Sequence, residues 1–375
     1  MAHVNPPYRC DVVGSFLRPK TVAQARVKFA CGQISKEELT AVEDAEIKKL
    51  IAKELENGLT AVTDGEFRRA FWHLDFLAAL GGIRHVKAEA WSVHFEGHQP
   101  KAETIVIEDK IHFPGNHPFL EAFDRLKGLA GDAPIKFTIP SPSMLHLICC
   151  VREEHYKPID LYKDNEDALF ADIAQTWKDA MLALYAKGCR YLQFDDTSWG
   201  EFCSQEKRAA YAARGIDVDA VCRRYVACIN EILSAKPADM TVTMHICRGN
   251  FRSTWFSSGG YEPVAEMLFG GCRVDGFFLE YDTERAGGFE PLRFIQDQTV
   301  VLGLVTSKFP ELEDKEAIKT RIHEAAKYVP LDRLCLSPQC GFSSTEEGNI
   351  MTEEQEWAKV RLVRDIAREV WADAK

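Results

Sequence analysis

The chain has 375 residues, 46% hydrophobic and 27% charged, the balance of an ordinary globular protein with enough apolar material for a sizeable core. Its net charge of −11 excludes nucleic acid or an anionic membrane surface as a default partner, because both recruit basic patches. No apolar run is long enough to span a membrane and Met1–Arg9 lacks the apolar core of a signal peptide, so a cytoplasmic protein with reduced thiols is expected.

Eight short apolar or β-branched runs recur along the chain: Cys10–Val13, Thr60–Thr63, Ile135–Ile139, Tyr191–Phe194, Val242–His245, Gly276–Leu279, Val300–Val305 and Arg333–Leu336. Long amphipathic patterns separate them. The first opens at Ser35-Lys36-Glu37-Glu38, where serine and glutamate can satisfy each other's free amides, and carries Leu39, Val42, Ile47, Leu50, Ile51 and Leu55 on one face before stopping at Gly58. Further helices are expected over Leu161–Ala186, Gln205–Ala235, Lys315–Tyr328 and Thr352–Ala372. Continuous apolar strands alternating with helices indicate a parallel sheet covered on its faces, and eight such units indicate a closed (β/α)₈ TIM barrel. Between the second and third strands, residues of about 81–131 break the rhythm. Ser92–Phe95, Glu103–Glu108 and Lys110–Phe113 alternate in polarity there, as a small antiparallel insertion would. One domain over 1–375 is expected.

In such a barrel the chemistry sits where strands run out into helices. Those ends carry Gly14-Ser15, Asp64-Gly65-Glu66, Pro140-Ser141, Asp195-Asp196, His245 with Cys247, Glu280, Thr306-Ser307-Lys308 and Cys340. Packing alone does not explain polar residues gathered at one end of eight apolar strands. His245, Cys247, Glu280 and Cys340 are imidazole, thiolate and carboxylate donors, the set zinc favours. They are scattered over the last third of the sequence, unlike a local Cys-x-x-Cys clip, and so need a rigid scaffold to meet. Of the adjacent Asp195 and Asp196, alternation along a strand leaves one facing the site.

These segments resemble the catalytic half of cobalamin-independent methionine synthase. The likeness runs from Val13-Gly14-Ser15-Phe16 through Asp64-Gly65-Glu66-Phe67 to Ser337-Pro338-Gln339-Cys340-Gly341, nearly the whole chain. The resemblance implies that His245, Cys247, Glu280 and Cys340 bind zinc. It implies that Ser15, Glu66 and Asp195 hold the amino-acid part of homocysteine, with backbone around Ser15 at the carboxylate and the two acids at the ammonium. Homocysteine activated as a zinc thiolate would then take a methyl group to form methionine. Two thiolates and a carboxylate set three negative charges against the metal's two, which favours a nucleophilic substrate sulfur.

Two departures from the family bear on the methyl donor. A tryptophan associated with the pterin is replaced by Pro140-Ser141, and the histidine proposed as general acid after the seventh strand gives way to Thr306-Ser307-Lys308. Lys308 is therefore a candidate replacement acid beside Asp195, or else a solvated lysine, and free methyltetrahydrofolate is expected to be a poor donor. The sequence leaves the donor open, including a methyl-donor protein, and also the possibility of a homo-oligomer. The alternative reading is a related zinc thiol alkyltransferase similar to epoxyalkane:coenzyme M transferase. Glu66 and Asp195 favour an amino-acid thiol over a sulfonate thiol. A metal-free lyase similar to uroporphyrinogen decarboxylase lacks a use for the zinc-type residues.

Overall fold

The computed structural model describes residues 5–87, 95 and 103–374. In chain order its strands are β1 (Gly81–Lys87), β2 (Glu103–His112), β3 (Lys136–Pro140), β4 (Tyr191–Asp196), β5 (Thr241–Ile246), β6 (Gly276–Glu280), β7 (Thr299–Val305) and β8 (Leu334–Pro338). Strands β3 to β8 form a parallel sheet in sequential order. Nearly every residue in them is buried, because helices cover the outer face while the inner face fills the barrel.

The first two expected strands are shorter than their apolar runs predicted. Each is reduced to a single parallel bridge, Cys10 to Leu336 and Val62 to Ile135. The ring nevertheless closes. Asp11 N donates to Leu336 O at 3.1 Å, Lys136 N to Val62 O at 2.9 Å, and Phe16 N to Gly65 O at 3.1 Å across the gap between the two segments. The result is a (β/α)₈ barrel with two abbreviated members.

Helix boundaries follow local chemistry. Ser35 and Glu38 form the reciprocal cap of the helix Lys36–Glu56. Leu55 is exposed, contrary to the expected face, whereas Glu54 is buried and accepts from the Thr63 amide and hydroxyl. The pattern over Gln205–Ala235 is two helices, Gln205–Ala213 and Val218–Leu233, separated by Gly215 at φ 81° and opened by the Ser204 and Asp217 caps. Amphipathic periodicity cannot detect such a break, because both halves bury the same side. The expected helix Leu161–Ala186 starts later, at Glu166 behind its Asn165 cap, and Lys315–Tyr328 ends at Ala325.

The insertion is an antiparallel hairpin, with one correction. The two expected strands Glu103–Glu108 and Lys110–Phe113 are the single strand β2, and its partner is β1. Of Ser92–Phe95, all but Phe95 lie outside the described residues. A helix, Pro118–Ala130, returns the chain to β3. Among the described residues no helix is long and apolar enough to cross a membrane.

Candidate metal centre and substrate cavity

The strand register places the candidate residues before any side chain is considered. Asp195 on β4 is the lateral neighbour of His245 on β5, so both project to the same side. Glu280 ends β6, and Cys340 follows β8 by two residues. His245, Cys247, Glu280 and Cys340 are all buried, and their ligand atoms lie within 4.8 Å of one another. Ser15, Glu66 and Asp195 line the same cavity as His245, Cys247 and Cys340.

The four-residue cluster fits a tetrahedral zinc ion on three observations. Its two sulfurs are 3.6 Å apart, against roughly 3.8 Å for thiolates sharing one zinc at about 2.3 Å each. His245 Nδ1 is tied to Phe278 O at 3.2 Å, which fixes the tautomer and leaves Nε2, buried without a partner, for the cluster. Glu280 is held by its surroundings: Oε1 accepts from Arg248 N at 3.1 Å and Oε2 pairs with Arg285 at 3.1 Å.

The electrostatics favour an anionic cluster. Hydrogen bonding from Cys247, together with the nearby His245, holds the Cys340 thiol well below its usual range, against burial. The same bond, and then burial, raises Cys247. Burial opposes a charged His245, yet Cys340, Asp195 and Glu280 raise it to about 9. Burial would neutralise Glu280, but Arg285, Lys308 and Arg248 keep its carboxyl below the ordinary value.

At the opposite wall, Asp64 accepts from Glu66 N at 2.9 Å, and Gly65 and Glu66 both take φ 60°, a tight turn that sends Glu66 inward. Glu66 Oε1 accepts from Thr138 at 2.9 Å and pairs with Arg69 at 3.2 Å, while Oε2 is buried without a partner. Burial raises its carboxyl. Burial also raises Asp195 to about 7, with His245 pulling it down and Glu66 pushing it up. Asp196 turns away, as alternation requires. It caps the short helix Ser198–Phe202 through Ser198 and Trp199 and accepts from Ser141 and Ser143. Ser15 caps no helix, since Pro19 precedes the first one; its Oγ accepts from Ser343 N at 3.3 Å. Gly341 permits this approach, because a Cβ there would lie 2.0 Å from Ser15 Oγ.

Lys308 departs from the expectation of a solvated lysine. It is fully buried, not solvated, and it is not among the residues lining the cavity. Sequence reasoning also missed an aromatic wall. Phe71, Trp72 and His73 follow Glu66, while Phe251 and Phe256 follow Cys247, and all five line the cavity. Phe95 from the insertion completes it, 5.5 Å from Phe251 and 5.4 Å from Phe256 between ring centroids. Three consecutive ring-bearing residues, beginning five positions after Glu66, were the available signal. Arg152 also lines the cavity, but Glu201 occupies its guanidinium at 2.7 and 2.9 Å.

The comparisons agree with this geometry. The family model of the cobalamin-independent synthase catalytic domain matches residues 9–369. A Bacillus subtilis protein, the uncharacterized YxjG, is 48% identical over 369 residues, covering 98% of this chain and 95% of its own. A solved structure from Listeria monocytogenes, provisionally described as a vitamin-B12 independent methionine synthase, is 44% identical with TM-score 0.78, covering 97% of this chain and 98% of its own. A B12-independent methionine synthase from a Shewanella species, solved with selenomethionine, covers 96% of each chain at TM-score 0.69 and 18% identity, a likeness of fold alone. Matched from end to end, and with thiolate, imidazole and carboxylate converging at the open end of the barrel, the chain belongs to the cobalamin-independent methionine synthase family of methyltransferases.

Proposed function

We propose that residues 1–375 act as one catalytic domain that methylates the sulfur of homocysteine to form methionine, with His245, Cys247, Glu280 and Cys340 holding a zinc ion. The observation that carries this reading is the convergence of four ligand atoms within 4.8 Å in a cavity that also holds Ser15, Glu66 and Asp195. A zinc ion bound there supplies a Lewis acid that lets an incoming thiol lose its proton at neutral pH and keeps its sulfur nucleophilic. Glu66, with one oxygen unpartnered, and Asp195 accept hydrogen bonds from the substrate ammonium. Backbone around Ser15 takes the carboxylate. Glu66 and Asp195 suit an amino-acid thiol, because coenzyme M has no ammonium for them to accept from.

The donor presents a methyl carbon to that sulfur. The absent tryptophan was one ground for expecting methyltetrahydrofolate to be poor, and the aromatic wall weakens it by offering stacking surface from other loops. The missing proton donor is the second ground, and Lys308 does not restore it. Asp195, near neutrality at about 7, has the acidity suited to moving a proton at physiological pH. Thiolate ligands are consistent with a reducing compartment such as the cytoplasm.

The test is direct. Purified protein is assayed for bound zinc, then incubated with homocysteine, or separately with coenzyme M, and offered methyltetrahydrofolate, methylcobalamin or S-methylmethionine. Methionine formed by zinc-loaded protein supports the reading. Absence of stoichiometric zinc sinks it, and alkylation of coenzyme M alone transfers the assignment to the related alkyltransferases.

A further inference from the structure

Lys308 stands at the position where the family places its general acid, yet its ammonium is spent on the protein itself. It donates to Gly249 O at 3.0 Å, Asn250 Oδ1 at 3.0 Å and Thr254 O at 3.4 Å. Three donors meet three acceptors, the full capacity of an ammonium. All three acceptors belong to the segment that begins at Cys247 and carries Phe251 and Phe256. Asn250 extends the connection. Its Nδ2 donates to Gly341 O at 2.6 Å and Ser344 Oγ at 3.1 Å, one residue and four residues past Cys340. Asn349 in turn donates to Asn250 Oδ1 at 3.0 Å and to Ser307 O at 2.8 Å, returning to the residue before Lys308. A closed polar network thus joins the loops after β5, β7 and β8.

We propose that Lys308 and Asn250 form a positioning hub that sets the spacing of Cys247 and Cys340 for the metal, and that Lys308 is not the proton donor. The proposal rests on the metal reading given above. Its physical reason is that Cys247 and Cys340 lie beyond the ends of their strands; Cys247 N still donates to Asp196 O at 2.7 Å, but that bond ties it to β4 and not to the loop that carries Cys340. Cys340 and Cys247 belong to different loops, so their 3.6 Å separation depends on whatever links those loops. Asn250 touches both, and Lys308 anchors Asn250 to the barrel through the loop after β7. A buried ammonium with all three protons committed also has none to give to a leaving group. Outer partners of this kind typically change metal affinity by about 10–100-fold when removed.

The experiment measures zinc affinity by chelator competition in wild type, Lys308→Met and Asn250→Ala, together with thermal unfolding of each. Wild type is measured first; if it binds no zinc, the metal reading and the hub fall together. With zinc bound in wild type, both variants are expected to bind it about tenfold more weakly or worse at temperatures well below unfolding. With saturating zinc, the alkaline limb of the kcat profile in Lys308→Met should stay where wild type has it. Wild-type zinc affinity in both variants would overturn the hub, whatever happens to their melting temperature. Weakening in Lys308→Met alone would also overturn it, by assigning the effect to charge. Loss of the alkaline limb would make Lys308 the acid after all. Should Lys308→Met fail to fold, Asn250→Ala, which keeps the ammonium, decides the question by its zinc affinity.

Discussion

The two ends of the barrel bury charge in opposite ways. At the N-terminal end, Lys136 is closed in with Asp11 at 3.3 Å, over the Phe278 ring at 3.7 Å, and near Tyr191, whose hydroxyl donates to Asp11 at 2.9 Å. Asp11 also accepts from the Tyr8 and Val12 amides at 3.0 and 2.8 Å. None of Lys136, Asp11 and Tyr191 keeps a buried polar atom without a partner. At the C-terminal end, Glu66 Oε2 and His245 Nε2 are buried and unpartnered, and two cysteine sulfurs face one another at 3.6 Å. An unsatisfied buried group costs about 1–3 kcal/mol, so it persists where a ligand will satisfy it. The closed end is satisfied within the fold, and the open end keeps unpartnered groups beside the cavity.

Substitutions at the two ends should therefore separate stability from function. The largest effect expected is on activity: Cys340→Ala or Cys247→Ala should lose zinc and methyl transfer together, while the metal-free proteins unfold close to the metal-free parent. Metal analysis and calorimetry check this, and global unfolding of either variant would reassign the site as structural. The converse belongs to the other end. Lys136→Met should cost roughly 3–5 kcal/mol of stability by leaving Asp11 charged and buried, with zinc content per folded molecule unchanged. Denaturant titration measures that loss, and Lys136→Met with Asp11→Asn should recover part of it.

Within the open end, Glu66→Gln and Asp195→Asn should each weaken homocysteine binding by roughly 1.5–3 kcal/mol without changing zinc content, as expected for a charge-assisted hydrogen bond to the ammonium. Calorimetric titration reads this, and parental affinity in both would dissolve the proposed amino-acid subsite. A pH-dependent effect lies at the insertion, away from both ends. Burial lowers the His117 imidazole to about 4, although its bond to Phe76 O opposes the shift. The unfolded chain, titrating near 6.5, takes up the proton first as pH falls. Stability from neutral His117 is thus complete above about pH 6.5 and declines towards pH 4, by up to about 1.4 kcal/mol per pH unit. His73, lowered to about 3 by burial and Arg152, acts in the same direction, so His117→Asn should reduce the acid slope of the urea midpoint without abolishing it.

How far these residues could be read in advance depended on their relation to the backbone. Asp195 and Asp196 were separable because strand alternation is a local rule, and one does face His245 while the other caps a helix. The apolar runs Cys10–Val13 and Thr60–Thr63 read as full strands but pair at one residue each, since pairing depends on a neighbour's direction and not on the run itself. The break at Gly215 and the single strand β2 escaped for the same reason: periodicity reports a face, and continuity is decided by the partner.

Sequence alone determined the kind of barrel, the Ser35 cap of its first long helix and the identity of the four metal-type donors, because period, caps and side-chain chemistry are properties of short segments. Tertiary structure alone decided that two sulfurs on loops 93 residues apart stand 3.6 Å from one another. It also decided that the cavity is walled by rings from three separate segments, and that the Lys308 ammonium is bonded to acceptors of the loop after β5. Those outcomes depend on where strand ends converge in space and on which buried donors find acceptors there, and neither is encoded in any one stretch of chain.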